Sequence, residues 1–212
     1  MSEIRYPDAR SADEILRESE NFFAGKGAVH ATLRSLVARL AEESIPYAIV
    51  GGMALNLFGF ARQTVDVDVL LTKEGLAKFR ERFVGRGYVP AFPGAAKAFR
   101  DAETRVRIDF LTAGEYPGDG KPKPVAFPDP SLSAVDRGPY RVIALEKLID
   151  LKLASGLSAP HRMGDLVDVQ RLIEELRLPI DLDARLDASV RAEYRRLWEL
   201  AQHAGEGPQE RG

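Results

Sequence analysis

Cysteine is absent from the 212 residues. Disulfides, thiolate catalysis and cysteine-ligated zinc or iron–sulfur centres are excluded with it. Histidine is scarce. His30, His161 and His203 stand far apart and lack HExxH spacing, which argues against a histidine-built metal site. No run of about 18 apolar residues occurs, so no conventional transmembrane helix is expected. The opening MSEIRYPDAR is charged and has no apolar stretch of the kind a secretory signal needs, so a cytoplasmic location is expected. An excess of one charge is lacking too. At a formal net charge of −2 the chain is no general nucleic-acid coat, though a local basic groove is compatible with it. The remaining composition, 45% hydrophobic and 29% charged, suits a soluble globular protein with a real core. The length fits one large domain or two small ones.

Along the chain, Ser11 and Glu14 form a capping-box pattern that opens a short helix, broken by Gly25 and Gly27. Val29, Leu33, Leu36, Val37 and Leu40 then recur at the spacing of an amphipathic helix. A short apolar strand around YAIV ends at Gly51-Gly52, and MALNLF is expected to be helical immediately after it. VDVDVLL reads as the next strand. Leu76, Phe79 and Phe83 give a helix face closed by Gly85 and Gly87, and RVRIDFL (105–111) alternates again as a strand. Residues 113 to 139 hold six prolines and four glycines, an irregular excursion with a short edge strand expected around PVAF. A loop of that length in a compact domain is usually functional or disordered. After YRVI the pattern is helical, with stripes at Leu145–Leu153, Leu166–Leu176 and Leu186–Trp198. No internal repeat is present. The expected fold class is α/β (α+β), a mixed sheet with flanking helices over 1–143, a helical region over 144–204 and a flexible tail over 205–212.

The stretch FARQTVDVDVLL places Asp66 and Asp68 among valines and leucines. Strand side chains alternate, so the valines share one face and both carboxylates project from the other. Asp109 lies on the polar face of the later strand, opposite Val106, Ile108 and Phe110. If the two strands pair, the three acids approach one another, since same-face neighbours lie about 4.5 to 5.5 Å apart. Three carboxylates that close require a cation, and hard oxygen donors select Mg²⁺ or Mn²⁺. The Gly51-Gly52 pair, opening a helix, presents bare backbone N–H groups at the positive end of the helix dipole, a natural phosphate cradle. Each feature also has a plainer explanation. A DxD can be the solvated face of an edge strand, a glycine pair can be a simple turn, and one lysine on a polar helix face (Lys152) is usually solvated. Arg162, Asp165 and Asp168 fall at three-residue spacing on a helix start, which by itself reads as surface decoration. Arg62 and Thr64 before the DxD either steady phosphates or end a turn.

GGMALNLFGFARQTVDVDVLL followed by RIDFL resembles the signature of the DNA polymerase β-type nucleotidyltransferases. That superfamily shows a glycine corner, a DxD about a dozen residues later and a third acid on a following strand. Here thirteen residues separate Gly52 from Asp66. Together with ALEKLIDLKLASG and HRMGDLVDVQRLI, the pattern is similar to the AbiEii-type toxin nucleotidyltransferases, from about Pro46 to Ile173. The resemblance implies a nucleotidyltransferase-like fold. It implies that Gly51 and Gly52 hold the triphosphate of an incoming NTP, and that Asp66 and Asp68 ligate both metal ions. Asp109 would ligate the catalytic metal and help deprotonate the attacking hydroxyl. Lys152 matches a lysine that approaches the triphosphate, and Arg162, Asp165 and Asp168 fall on an R…D…D pattern. Three departures stand out: Gly52 replaces a serine, Gly164 a basic residue and Phe58 a histidine.

The expectation is therefore a metal-dependent enzyme that transfers an NMP from an NTP to an acceptor hydroxyl. The toxin branch brings a tRNA 3′ end or another RNA as acceptor, and a cognate antitoxin as partner. Lys97, Arg100, Arg105 and Arg107, and in the excursion Lys121, Lys123, Arg137 and Arg141, are the basic residues that would meet RNA. A small-molecule acceptor such as an aminoglycoside, or a protein hydroxyl, stays open. The departures at Gly52 and Gly164 motivate a second expectation, a non-catalytic nucleotide- or partner-binding module with the same fold. A structural interaction protein whose acids are all solvated is the third.

Overall fold

The computed structural model describes residues 12–204. The expected Ser11–Glu14 cap and the tail from Gly205 lie outside the described residues. Two helices come first, α1 (Ala12–Phe23) and α2 (Ala28–Glu42). Then follow β1 (Tyr47–Ile49), α3 (Gly51–Leu57), β2 (Asp66–Leu71) and α4 (Lys73–Phe83). The short strands β3 (Tyr88–Pro90) and β4 (Ala98–Asp101) lead into β5 (Arg107–Thr112). After the proline-rich excursion come α5 (Pro130–Ser133), β6 (Ala134–Arg137) and β7 (Tyr140–Ile143). The helical half is α6 (Leu145–Ser158), α7 (Met163–Leu176) and α8 (Arg191–Ala204), with 3-10 turns at Pro160–Arg162 and Ile180–Arg185. Among the described residues no helix is long and apolar enough to cross a membrane.

The seven strands form one mixed sheet in the order β3-β4-β5-β2-β1-β7-β6. β2 runs parallel to β5, and β1 parallel to β7; the other pairs are antiparallel. A parallel pair needs a crossover, and α4 with the β3–β4 hairpin supplies the one from β2 to β5. The apolar face of this pair, Val67, Val69, Ile108 and Phe110, is buried. Phe79 of α4 seals it, with ring centroids 4.6 Å from Phe110, 5.2 Å from Tyr88 and 5.6 Å from Phe99. Burying such a face fixes the strand register, because a one-residue slip would turn every valine outward. The acids are thereby held on the opposite face.

Several boundaries differ from expectation. Val65 is not part of the strand and is 75% exposed. The helix after β1 starts on Gly51 itself rather than beyond the glycines. β5 begins at Arg107, because Arg105 adopts φ +64° in the turn that closes the β4–β5 hairpin. No strand forms over 124–127; four prolines between 122 and 130 remove ladder donors, and only Phe127 exchanges backbone hydrogen bonds with the 114–115 segment. Leu186 and Val190 are buried as the last stripe requires, but precede α8.

Candidate functional site

The β2–β5 register sets Asp68 directly opposite Asp109 and Asp66 opposite Arg107. One carboxylate oxygen from each of Asp66, Asp68 and Asp109 lies within 4.8 Å of the other two. The sequence expectation that the third acid converges on the first two is met. Asp68 shows the electrostatic consequence. Burial, then the charges of Asp66 and Asp109, push its pKa up to about 7, against the opposing pull of Lys152 and Arg162. Thr64 donates its hydroxyl to Asp66 Oδ1 at 2.6 Å. Asp109 is clasped by its own neighbour: Arg107 Nε donates to Oδ2 at 2.7 Å and Nη2 to Oδ1 at 2.9 Å.

The glycine corner abuts these acids. The Val50 N–H donates to the Asp68 carbonyl at 3.0 Å, and Gly51 adopts φ +61°. A Cβ on Gly51 would lie 1.9 Å from Asp68 Oδ2, so only glycine lets backbone and carboxylate pass. At Gly52 a Cβ would lie 2.8 Å from Thr64 Cβ and 2.9 Å from its hydroxyl. Thr64 fills the space where a serine would stand, which gives the Gly52 departure a packing cause. Asn56, which the sequence pattern did not single out, ties the corner together. Its Nδ2 donates to the carbonyls of Gly52 (2.9 Å) and Arg62 (2.6 Å), and its Oδ1 accepts from the Arg62 N–H at 3.1 Å. An asparagine inside a helix is an unfavourable choice by propensity and was the available signal.

The opposite wall comes from the helical half. Lys152 is 7% exposed, not solvated, and its Nζ donates to Asp168 at 2.7 Å and to Asp165 at 3.0 Å. Asp168, at 6% exposure, also takes Arg62, joining the loop before β2 to α7. Asp165 accepts from Ser155 Oγ at 2.7 Å and Arg162 Nε at 3.0 Å. Burial raises its pKa, but Lys152, Ser155 and Arg162 outweigh that and hold the carboxyl below the usual range. The surface-decoration explanation of Arg162, Asp165 and Asp168 is thus corrected to a partly buried ionic network. Gly164 beside it has open space where a side chain would project. Phe58 carries the guanidinium of Arg137, 5.0 Å from its ring centroid.

A cleft of about 580 Å³ brings Gly51, Gly52, Arg62, Thr64, Asp66, Asp68, Asp109, Lys152, Arg162 and Asp165 onto one surface. Its far rim carries a Lys97–Glu115 ion pair. A larger groove, about 910 Å³ between α7 and α8 beside Trp198, contains none of the three acids. The expected basic residues are largely engaged inside the fold: Arg100 with the Arg105 carbonyl, Lys123 with Asp119 and Arg141 with Asp136.

No protein-family description matches this chain, and no curated protein is similar to it in sequence. Solved structures are similar in fold. One is ANT(2″)-Ia in complex with adenylyl-2″-tobramycin, at 14% identity and TM-score 0.50, covering 78% of this chain and 96% of that one. Another is JHP933 from Helicobacter pylori, at 15% identity and TM-score 0.45, covering 92% and 94%. A third is a tRNA nucleotidyltransferase complexed with a primer tRNA and an incoming ATP analog, at 18% identity and TM-score 0.35, covering 80% and 50%. The fold is nucleotidyltransferase-like: a mixed sheet with flanking helices, followed by a C-terminal helical region.

Proposed function

We propose that the protein is a metal-dependent nucleotidyltransferase that moves an NMP from an NTP to an acceptor hydroxyl and releases pyrophosphate. The observation that carries this reading is the convergence of Asp66, Asp68 and Asp109 beside a glycine corner in one cleft. The donor set fits a divalent ion, because three hard carboxylate oxygens crowd together, and without a cation burial and its acidic neighbours disfavour the charged form of Asp68. Asp66, Asp68 and Asp109 would hold Mg²⁺ or Mn²⁺, which neutralises charge on the phosphates when bound. The backbone at Gly51 and Gly52 receives the triphosphate. Lys152 and Arg162 supply positive charge from the facing wall, and Arg62 and Thr64 hold that wall and Asp66 in place. Asp109 accepts the proton of the attacking hydroxyl. Positioning and charge neutralisation are most of what such a transfer requires.

In this reading the chain divides into a catalytic core to residue 143 and a helical region, 144–204, that forms the cleft's second wall. The proposed acceptor is RNA, a tRNA 3′ end included, and its contacts would fall to Arg105 and, by exchange with their partners inside the fold, to Lys97, Arg100 and Arg107; a cognate antitoxin would be the protein partner. Such binding weakens steeply with salt. Incubation with each labelled NTP, Mg²⁺ and total RNA tests the reading: label should appear on RNA, and absence of both label and nucleotide binding contradicts it. A non-catalytic module of the same fold is favoured by one observation, the hold of Arg107 on Asp109. Asp66→Asn separates the two, abolishing transfer and any growth inhibition in an enzyme while leaving a scaffold's function intact.

A further inference from the structure

Among the described residues, one cationic side chain makes direct ion-pair contact with the acid cluster. Lys152, Arg62 and Arg162 are all committed to Asp165 or Asp168, which stand outside it. Arg107 instead spans both oxygens of Asp109 in a bidentate clasp, from a position directly opposite Asp66 on the same sheet face. We infer that Arg107 is a built-in counter-cation that competes with the divalent ion for Asp109, so that loading of the ion requires the guanidinium to leave.

The inference rests on the metal-binding reading above and adds a regulator to that site. A bidentate guanidinium–carboxylate pair occupies one lone-pair site on each Asp109 oxygen, and a metal ion drawn to the same edge of the carboxylate competes for it. A divalent ion drawn to oxygens that lie within 4.8 Å of one another would also sit a few ångströms from the guanidinium, where like charges repel strongly at partial burial. The exit is open. The Arg107 side chain is 44% exposed, so it swings into solvent without disturbing the sheet. Arg100 lies directly opposite it on β4, a second positive charge that disfavours the released side chain on that flank. Arg107 is accordingly a positioning residue that acts through Asp109. It offsets the charge of Asp109 while no ion is bound and raises the concentration of ion needed to fill the cluster.

The test is a Mn²⁺ titration of the full chain without nucleotide, followed by the electron paramagnetic resonance of free Mn²⁺. Wild type, Arg107→Gln, Arg107→Lys, Asp109→Asn and the Arg107→Gln/Asp109→Asn double variant are compared, each first shown by thermal melting to be folded. Arg107→Gln is expected to bind Mn²⁺ about tenfold more tightly than wild type, as removal of one nearby positive charge implies. Arg107→Lys should fall between them, since it keeps the charge but loses the fork. The gain should vanish in the Arg107→Gln/Asp109→Asn double variant. An Arg107→Gln affinity equal to or weaker than wild type overturns the inference while leaving the metal site standing. No Mn²⁺ binding by any variant overturns both.

Discussion

At the residue scale, Asp68 and Lys152 carry the most consequence. Asp68 has its folded pKa raised to about 7 by burial and by its two acidic neighbours. A raised carboxyl holds a proton that the unfolded chain releases near pH 4. Its contribution to stability is therefore present below that pH and lost as pH rises through about 7. The metal-free protein should lose stability between about pH 4 and 7 on this account. Asp68→Asn should flatten that slope and raise Tm at pH 8 by roughly 10 °C, since a shift from 3.8 to about 7 corresponds to about 4 kcal/mol and a chain of this size gains about 2–4 °C per kcal/mol. Thermal melts in EDTA across pH check it, and an unchanged slope contradicts it. Lys152→Met leaves Asp165 and Asp168 short of a buried partner and should cost about 3 kcal/mol, the low end for such losses because Arg62 and Arg162 remain. Denaturant unfolding measures it. The three acids were legible in the sequence because strand alternation exposes them. The burial of Lys152 was not, because its partners lie 13 and 16 residues away on another helix.

At the element scale, the junction of β1 with α3 is the most constrained. Gly51→Ala must push Asp68 aside, so Mn²⁺ binding should be lost even where the variant still folds. Gly52→Ala meets Thr64 and should be destabilising, whereas Gly164→Ala meets nothing within 4 Å inside α7 and should stabilise by about 0.5–1 kcal/mol. The contrast between these substitutions, read by urea unfolding, tests the packing account of the glycine corner. β2, β5 and the longer helices α2, α4, α6 and α7 were legible from their periodicity, whereas the one-turn α5 within the proline-rich excursion was not. The β3–β4 hairpin was not, since strands of three and four residues are too short to show alternation. Over 124–127 the apolar PVAF suggested a strand, but the flanking prolines decided the backbone.

At the scale of the whole molecule, one buried apolar cluster runs from Phe22 through the sheet to Leu197 and Ala201 of α8. The Lys152–Asp168–Arg62 network crosses between the same two halves. Their union was beyond the sequence, which shows where the α/β pattern stops but not that the helices wall the cleft. Mg²⁺ binding only the native state should raise stability by about 2.7 kcal/mol at a hundredfold excess over Kd. The account depends most on the three carboxylates sharing a divalent ion. Crystals soaked with Mn²⁺ and nucleotide, measured for anomalous scattering, address this directly. A peak among Asp66, Asp68 and Asp109, with Arg107 turned away, is predicted. A site without that peak, with Arg107 still clasping Asp109, would contradict it.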